Sequence, residues 1–209
     1  VADVEGDIEH EIELLRRALK VERAYIGIEA NKPDAIAIMG EACREYQGIE
    51  VVPLKVQYPQ GAEKQLIKAI LGREVPSGKL PLDVGCVVNN VGTALSVYEA
   101  VQKNKPLVER YITVTGKEMT NPGNFLVRVG TPVADLVEAA GGLPENSAKV
   151  ILGGPMTGKS AVSLDVPTTK GTSGVVVFSA QEARRNKVEN CIRCSKCVTA
   201  CPMGLEPYL

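Results

Sequence analysis

Four cysteines near the end of the chain carry the clearest chemistry: Cys191-Ile192-Arg193-Cys194-Ser195-Lys196-Cys197-Val198-Thr199-Ala200-Cys201-Pro202. Two, two and three residues separate them, and a proline follows the last. This is the bacterial ferredoxin run for an iron–sulfur cluster, in which the fourth cysteine usually serves a different cluster from the first three. Soft thiolates match such centres. A structural zinc site more often shows two separated Cys-x2-Cys or Cys/His pairs, and no second pair exists here. Ordinary buried thiols are the other alternative. We therefore expect Cys191, Cys194, Cys197 and Cys201 to be iron–sulfur ligands. A two-cluster module needs a second run, and eight residues follow Cys201, so the chain reads as cut short there.

Two loops of the first half are candidates for binding a small molecule. Tyr58-Pro59-Gln60-Gly61-Ala62-Glu63 stands between a strand-like and a helix-like stretch. Gly61 allows a close backbone approach, and a following helix start offers free N–H groups to an anion. Val88-Asn89-Asn90-Val91-Gly92-Thr93 holds the same position further on. Two amides and a hydroxyl there can bind an oxygen-rich ligand, or can simply make a turn and cap a helix. Glu29 and Lys32 follow the first strand-like stretch; a surface ion pair is the plain account of them.

Gly153-Gly154-Pro155-Met156-Thr157-Gly158-Lys159-Ser160 fits the G-x4-G-K-[ST] pattern of a phosphate-binding loop. Such a loop must open a long helix. Residues 161–166 are β-leaning and Pro167 follows, so we reject a nucleoside-triphosphate site. No G-x-G-x-x-G run occurs, which leaves a standalone Rossmann nicotinamide site without support. Cys43 and Cys86 lie in apolar settings and read as small buried hydrophobes. His10 sits on a charged segment and reads as solvated.

The elements that must carry these residues alternate. Residues 7–19 repeat Ile8, Ile12, Leu15 and Leu19 at helical spacing, with Asp7 as the cap. Residues 24–28, 49–54 and 84–88 read as strands. Residues 33–46, 62–71 and 93–101 read as helices, the first opened by Pro33 and the third candidate preceded by the Asn89-Asn90 loop. This argues for a parallel sheet with helices packed on it, and ligands in such sheets lie at the carboxyl ends of strands. After Pro106 the pattern becomes that of a small α+β domain: strands over 111–115, 125–129, 149–152 and 175–178, and a short helix over 131–140 closed by Gly141-Gly142. A charged helix is expected over 179–189. The domains are therefore 1–106, 107–178 and 179–209, with no internal repeat.

The 209 residues are 44% apolar and 23% charged with a net charge of −1, a normal composition for a globular protein with one or two cores. Nothing indicates a nucleic-acid surface. No apolar run reaches the ~18 residues of a membrane span. Six cysteines, four of them in one run, point to a reducing compartment.

Several of these motifs, in this order, resemble one family. They are Tyr58 to Leu66, Val-Pro-x-Gly-x-Leu-Pro (75–81), Val-Asn-Asn-Val-Gly-Thr (88–93), Glu-Arg-Tyr-Ile-Thr-Val-Thr-Gly (109–116), Gly-Gly-Pro-Met (153–156) and Cys-Ile-Arg-Cys (191–194). The chain looks like the C subunits of the Rnf ion-translocating ferredoxin:NAD oxidoreductases, and more distantly like the flavoprotein subunit of respiratory complex I. The resemblance implies a Rossmann-like FMN domain, a β-grasp (soluble-ligand-binding) domain and a ferredoxin-like segment. It implies FMN contacts at Tyr58, Gly61, Glu63, Asn89, Asn90 and Thr93, [4Fe-4S] clusters on the cysteine run, and NADH as the substrate. The other subunits of a membrane-bound complex would be the partners, with the chain peripheral on the cytoplasmic face. The family's glycine-rich flavin and NADH loop would lie before Val1, and its second cysteine motif beyond Leu209. A cobalamin- or amino-acid-linked reductase subunit and a non-catalytic docking module are the rival expectations.

Overall fold

The structure is a computed structural model, and it describes residues 8–185, 187–201 and 204–208. Asp7, the side chain of His10 and Pro202 lie outside the described residues. Two compact units divide the chain. One is Val1–Tyr111 with Leu126–Gly130 and Thr168–Gly171; the other is Ile112–Phe125, Thr131–Pro167 and Thr172–Leu209.

The first unit opens with α1 (Ile8–Leu19). At its end Arg16 donates to the carbonyls of Gln47 (2.7 Å) and Glu22 (2.8 Å) and pairs with Glu13 at 3.1 Å. One guanidinium thus holds the two segments that start β1 (Ala24–Glu29) and β2 (Ile49–Leu54). These strands run parallel in register, from Ala24 beside Ile49 to Glu29 beside Leu54. The crossover is α2 (Pro33–Ala42), with Pro33 at its first position, where a missing N–H costs nothing. Met39, Cys43 and Ile49 form the buried centre, packed by Ile12, Ile26 and Tyr46. Full burial of such side chains contributes about 1.5–3 kcal/mol each. Next comes α3 (Glu63–Leu71), stopped by Gly72 in the left-handed conformation. The unit's last helix, α4 (Val91–Gln102), starts immediately after Asn90.

The other sheet is built from β3 (Glu109–Thr115), β4 (Gly123–Arg128), β5 (Ser147–Leu152), β6 (Lys159–Ser160) and β7 (Gly174–Ser179), with α5 (Val133–Ala139) between β4 and β5. The spatial order is β4-β3-β7-β5-β6. The middle strand β7 runs parallel to β3 and antiparallel to β5. Period-two patterning does its work here: Ile112, Val114 and Val175 are wholly buried and Val177 nearly so, while Tyr111 and Leu126 face out. Val133, Leu136 and Val137 give α5 its buried face.

Three expectations fail, each for a local reason. Residues 84–88 are not a strand. Pro81–Val84 is a 3-10 turn ended by left-handed Gly85. The backbone groups a strand would pair are taken locally: Arg73 donates to the Val84 carbonyl at 2.8 Å, and the Cys86 N–H donates to the Pro81 carbonyl at 3.0 Å. Among the described residues the first unit's sheet accordingly has two strands. The helix expected to reach residue 46 stops at Ala42 and tightens into a 3-10 turn over Cys43–Glu45. The expected helix over 179–189 is absent among the described residues. Glu182 instead accepts from the N–H and hydroxyl of Ser179, both at 3.2 Å, and closes a turn.

Candidate functional site

The cysteine segment follows β7. Lys117 lies 3.0 Å from Glu182. That ammonium, helped by the Ser179 N–H, holds the Glu182 carboxyl below the usual range. Beyond it the described residues form no helix or strand before α6 (Lys196–Ala200); Cys197 is inside that helix and Cys201 ends it. All four thiols are free; Cys191, Cys194 and Cys197 are exposed and Cys201 is half-buried. Arg193 and Ser195 adopt positive φ, 53° and 60°, a conformation that costs a non-glycine residue roughly 1–2 kcal/mol. Two backbone amides point at sulfur: Arg193 N to Cys191 Sγ and Leu205 N to Cys201 Sγ, each 3.4 Å. Donors of this kind set the properties of a cysteine-held cluster. The donor set suits a soft metal centre in residue type and in sequence spacing. Among the described residues, no three His, Cys, Asp or Glu side chains converge at metal-binding distance.

The six loop residues fall where two helices of the first unit begin. Tyr58 and Gly61 precede α3, and Glu63 is its first residue. Asn89 and Asn90 precede α4, and Thr93 is in its first turn. All six are exposed. Gly61 leaves open space around the point where a Cβ would sit. The α3 start has no side-chain cap, with Ala62 in the capping place. Asn90 is the cap of α4: its Oδ1 accepts from Gly92 N at 2.9 Å. That oxygen is used by the fold, and the Asn90 amide nitrogen is what remains to donate to a ligand. Glu29 and Lys32 form the surface pair, 3.5 Å apart. Cys43 and Cys86 are buried.

Gly153–Ser160 forms the tip of a hairpin. Gly158 N donates to the Gly154 carbonyl at 2.7 Å, and Ser160 pairs with Ile151. A groove of about 350 Å³ lies in the same unit, lined by Ser147, Val150, Ser160 and Leu164 among others. None of the expected site residues lines it. The amides of Arg193 and Leu205 are what reading side chains misses, because the donor is the peptide and any residue supplies it.

Two family models match the chain. Residues 7–99 match that of the Nuo51 FMN-binding domain, and residues 111–160 that of the SLBB domain. The chain is 45% identical over 198 residues to the C subunit of the proton-translocating ferredoxin:NAD(+) oxidoreductase complex of Clostridium ljungdahlii, covering 95% of this chain and 43% of that protein. It is 44% identical over 196 residues to the Na(+)-translocating counterpart of Acetobacterium woodii, covering 94% and 44%. The likeness to these C subunits is shown along almost the whole chain. The chain spans less than half the length of the C subunits it matches. Among solved structures, the NAD+-reducing [NiFe]-hydrogenase in the H2-reduced state aligns with a TM-score of 0.66 at 20% identity, covering 85% of this chain and 37% of that one. That likeness speaks for the fold alone; the two family models give an FMN-binding type domain followed by an SLBB-type domain. Among the described residues, no helix is long and apolar enough to cross a membrane.

Proposed function

We infer that this chain is the electron-handling part of a C subunit in an ion-translocating ferredoxin:NAD oxidoreductase, with domains at 1–106, 107–178 and 179–209. The observation that carries this is the cysteine run, with peptide donors already aimed at two of its sulfurs, in a chain whose first half matches an FMN-binding domain. Cys191, Cys194 and Cys197 would hold one [4Fe-4S] cluster, and Cys201 would contribute to another. FMN, when bound, exchanges electron pairs with NADH and single electrons with clusters.

The residues of the first unit supply placement. The uncapped start of α3 offers N–H groups to a phosphate, with Gly61 keeping the approach open. Tyr58 gives an exposed aromatic face. Asn89, the Asn90 amide nitrogen and the Thr93 hydroxyl offer hydrogen bonds at the start of α4. Glu63 stands in the first turn of α3 and accepts rather than donates, which suits a ribityl hydroxyl better than a phosphate. The partners are the other subunits of a membrane-bound complex, and the chain sits on its cytoplasmic side.

Iron, acid-labile sulfide and flavin analysis of the full-length subunit tests this reading. Iron and sulfide in equal amounts, flavin, and NADH-dependent bleaching are the expected results. Cys194→Ser should lower iron and sulfide per chain; unchanged contents, or zinc or disulfides in place of a cluster, would sink the assignment.

A further inference from the structure

The parallel pair of β1 and β2 has two outer edges, and they differ. Across the pair, Ala24 N donates to the Gly48 carbonyl at 2.8 Å and Ala30 N to the Leu54 carbonyl at 2.9 Å. Peptide groups alternate in direction along a strand, so the even-numbered residues of the two strands face each other. Ile49, Val51 and Pro53 then face outward from β2, and Tyr25, Gly27 and Glu29 outward from β1. The β2 edge is blunted: Pro53 has no N–H, and the Ile49 N–H donates to the Tyr46 carbonyl at 3.3 Å. On the β1 edge all three residues carry an N–H, and among the described residues no strand pairs there. The burial of β1 is uneven too. Helices lie on both its faces: Ile26 and Ile28 pack on the centre made by Met39 and Cys43, and Leu66 and Ile70 of α3 come within 2.9 and 3.3 Å of the place a Gly27 Cβ would take. Yet Gly27 is exposed and Ile26 and Ile28 are half-buried, whereas strands of helix-covered parallel sheets are buried on both faces.

We propose that β1 is an interior strand in the full-length subunit, and that an apolar parallel strand from the part of the subunit outside this chain pairs with Tyr25, Gly27 and Glu29. The matched C subunits are more than twice as long as the span this chain covers, so the occupant has chain to come from. The helix packing says which stretch supplies it. β1 reaches β2 through α2, and Ile12 of α1 packs on the same centre as Met39 of α2. Both helices therefore lie on one face of the pair. Connections between parallel strands are right-handed in nearly all cases. With α1 as such a crossover on that face, a strand leading into α1 lands beside β1 on the side away from β2. The open edge and the handedness rule select the same place by separate routes. A third strand also lifts the sheet above the two-stranded size that is marginal alone. The inference rests on the likeness to longer C subunits and is independent of the electron-handling reading.

Residue-resolved hydrogen exchange of the isolated full-length subunit, at a concentration where it is monomeric, tests this. The amides of Tyr25, Gly27 and Glu29 should exchange within about tenfold of those of Ile26 and Ile28, which face β2, and the stretch leading into α1 should hold a run of equally slow amides. Outer amides faster than that overturn the proposal. Slow outer amides beside a fast stretch before α1 overturn it too, because another segment then covers the edge. Protection that arises only as the subunit dimerises makes the occupant a second copy, and protection that arises only in the assembled complex makes it another subunit; either result overturns the proposal. Flavin and iron contents do not enter the measurement. A subunit that lacks both but has slow outer amides keeps this inference and defeats the electron-handling reading, and a loaded subunit with fast outer amides does the reverse.

Discussion

Asn90 has two duties that one substitution confounds and two separate. Its Oδ1 caps α4 through Gly92 N at 2.9 Å, and its amide nitrogen is the group proposed to face FMN. Asn90→Ala removes both. Losing an N-cap acceptor costs about 0.5–2 kcal/mol, which in a chain of this size lowers Tm by roughly 2–4 °C per kcal/mol. Asn90→Asp keeps an acceptor in the same place and sets a negative charge on the helix start, worth about 0.3–1 kcal/mol in favour. The aspartate variant should therefore melt at or slightly above the wild-type temperature. It loses the donor nitrogen and brings a charge toward the cofactor, so it should bind flavin at least as poorly as the alanine variant. Stranding one polar partner costs about 1–3 kcal/mol, and 1.4 kcal/mol is a tenfold change in Kd. Differential scanning fluorimetry without flavin and a flavin fluorescence titration of the full-length subunit read the two effects apart. Equal melting losses in both variants would refute the cap. Wild-type flavin affinity in both would refute the cofactor contact.

Three other substitutions probe the second unit. A Cβ on Gly116 would lie 2.5 Å from the Val177 carbonyl oxygen and 3.0 Å from Met119 Cγ, and backbone on the middle strand cannot yield. Gly116→Ala should cost about 1–3 kcal/mol by urea unfolding, whereas Gly154→Ala, which meets nothing within 4 Å, should be nearly silent. Glu182 has a depressed folded-state pKa. Its contribution is therefore complete above the ordinary glutamate pKa and is lost as pH falls through that value to the lower folded one. The Tm gap between wild type and Glu182→Gln should shrink across that acidic window; a gap that widens with acid would contradict the Lys117 pairing.

What the sequence made readable is what periodicity controls. Ile112 and Val114, two apart, are wholly buried as a half-buried strand requires, and Ile49 to Leu54 pairs along its length with β1. The failures occur where side chains at a distance claim backbone groups. Val84 to Val88 looks like a strand by composition, but Arg73, eleven residues earlier, takes the Val84 carbonyl. Glu182 looks helical, but two hydrogen bonds to Ser179 and the Lys117 ammonium hold a turn. At the candidate site, the cysteine types and spacing were visible as a pattern, and Asn90 as a cap or a ligand residue. The amide donors were not, since a peptide leaves no mark on the residue name.

The central position of β7 sets an order on synthesis. β3 leaves the ribosome early and must wait for Gly174–Val176 before its parallel partner exists; until then the sheet has a gap at its middle. The segment that closes the gap is made just ahead of the cysteine run, so a nascent chain that has exposed its four cysteines has already made every strand of this sheet. A chain halted before Gly174 would expose an unfinished sheet and lack the four cysteines of the run.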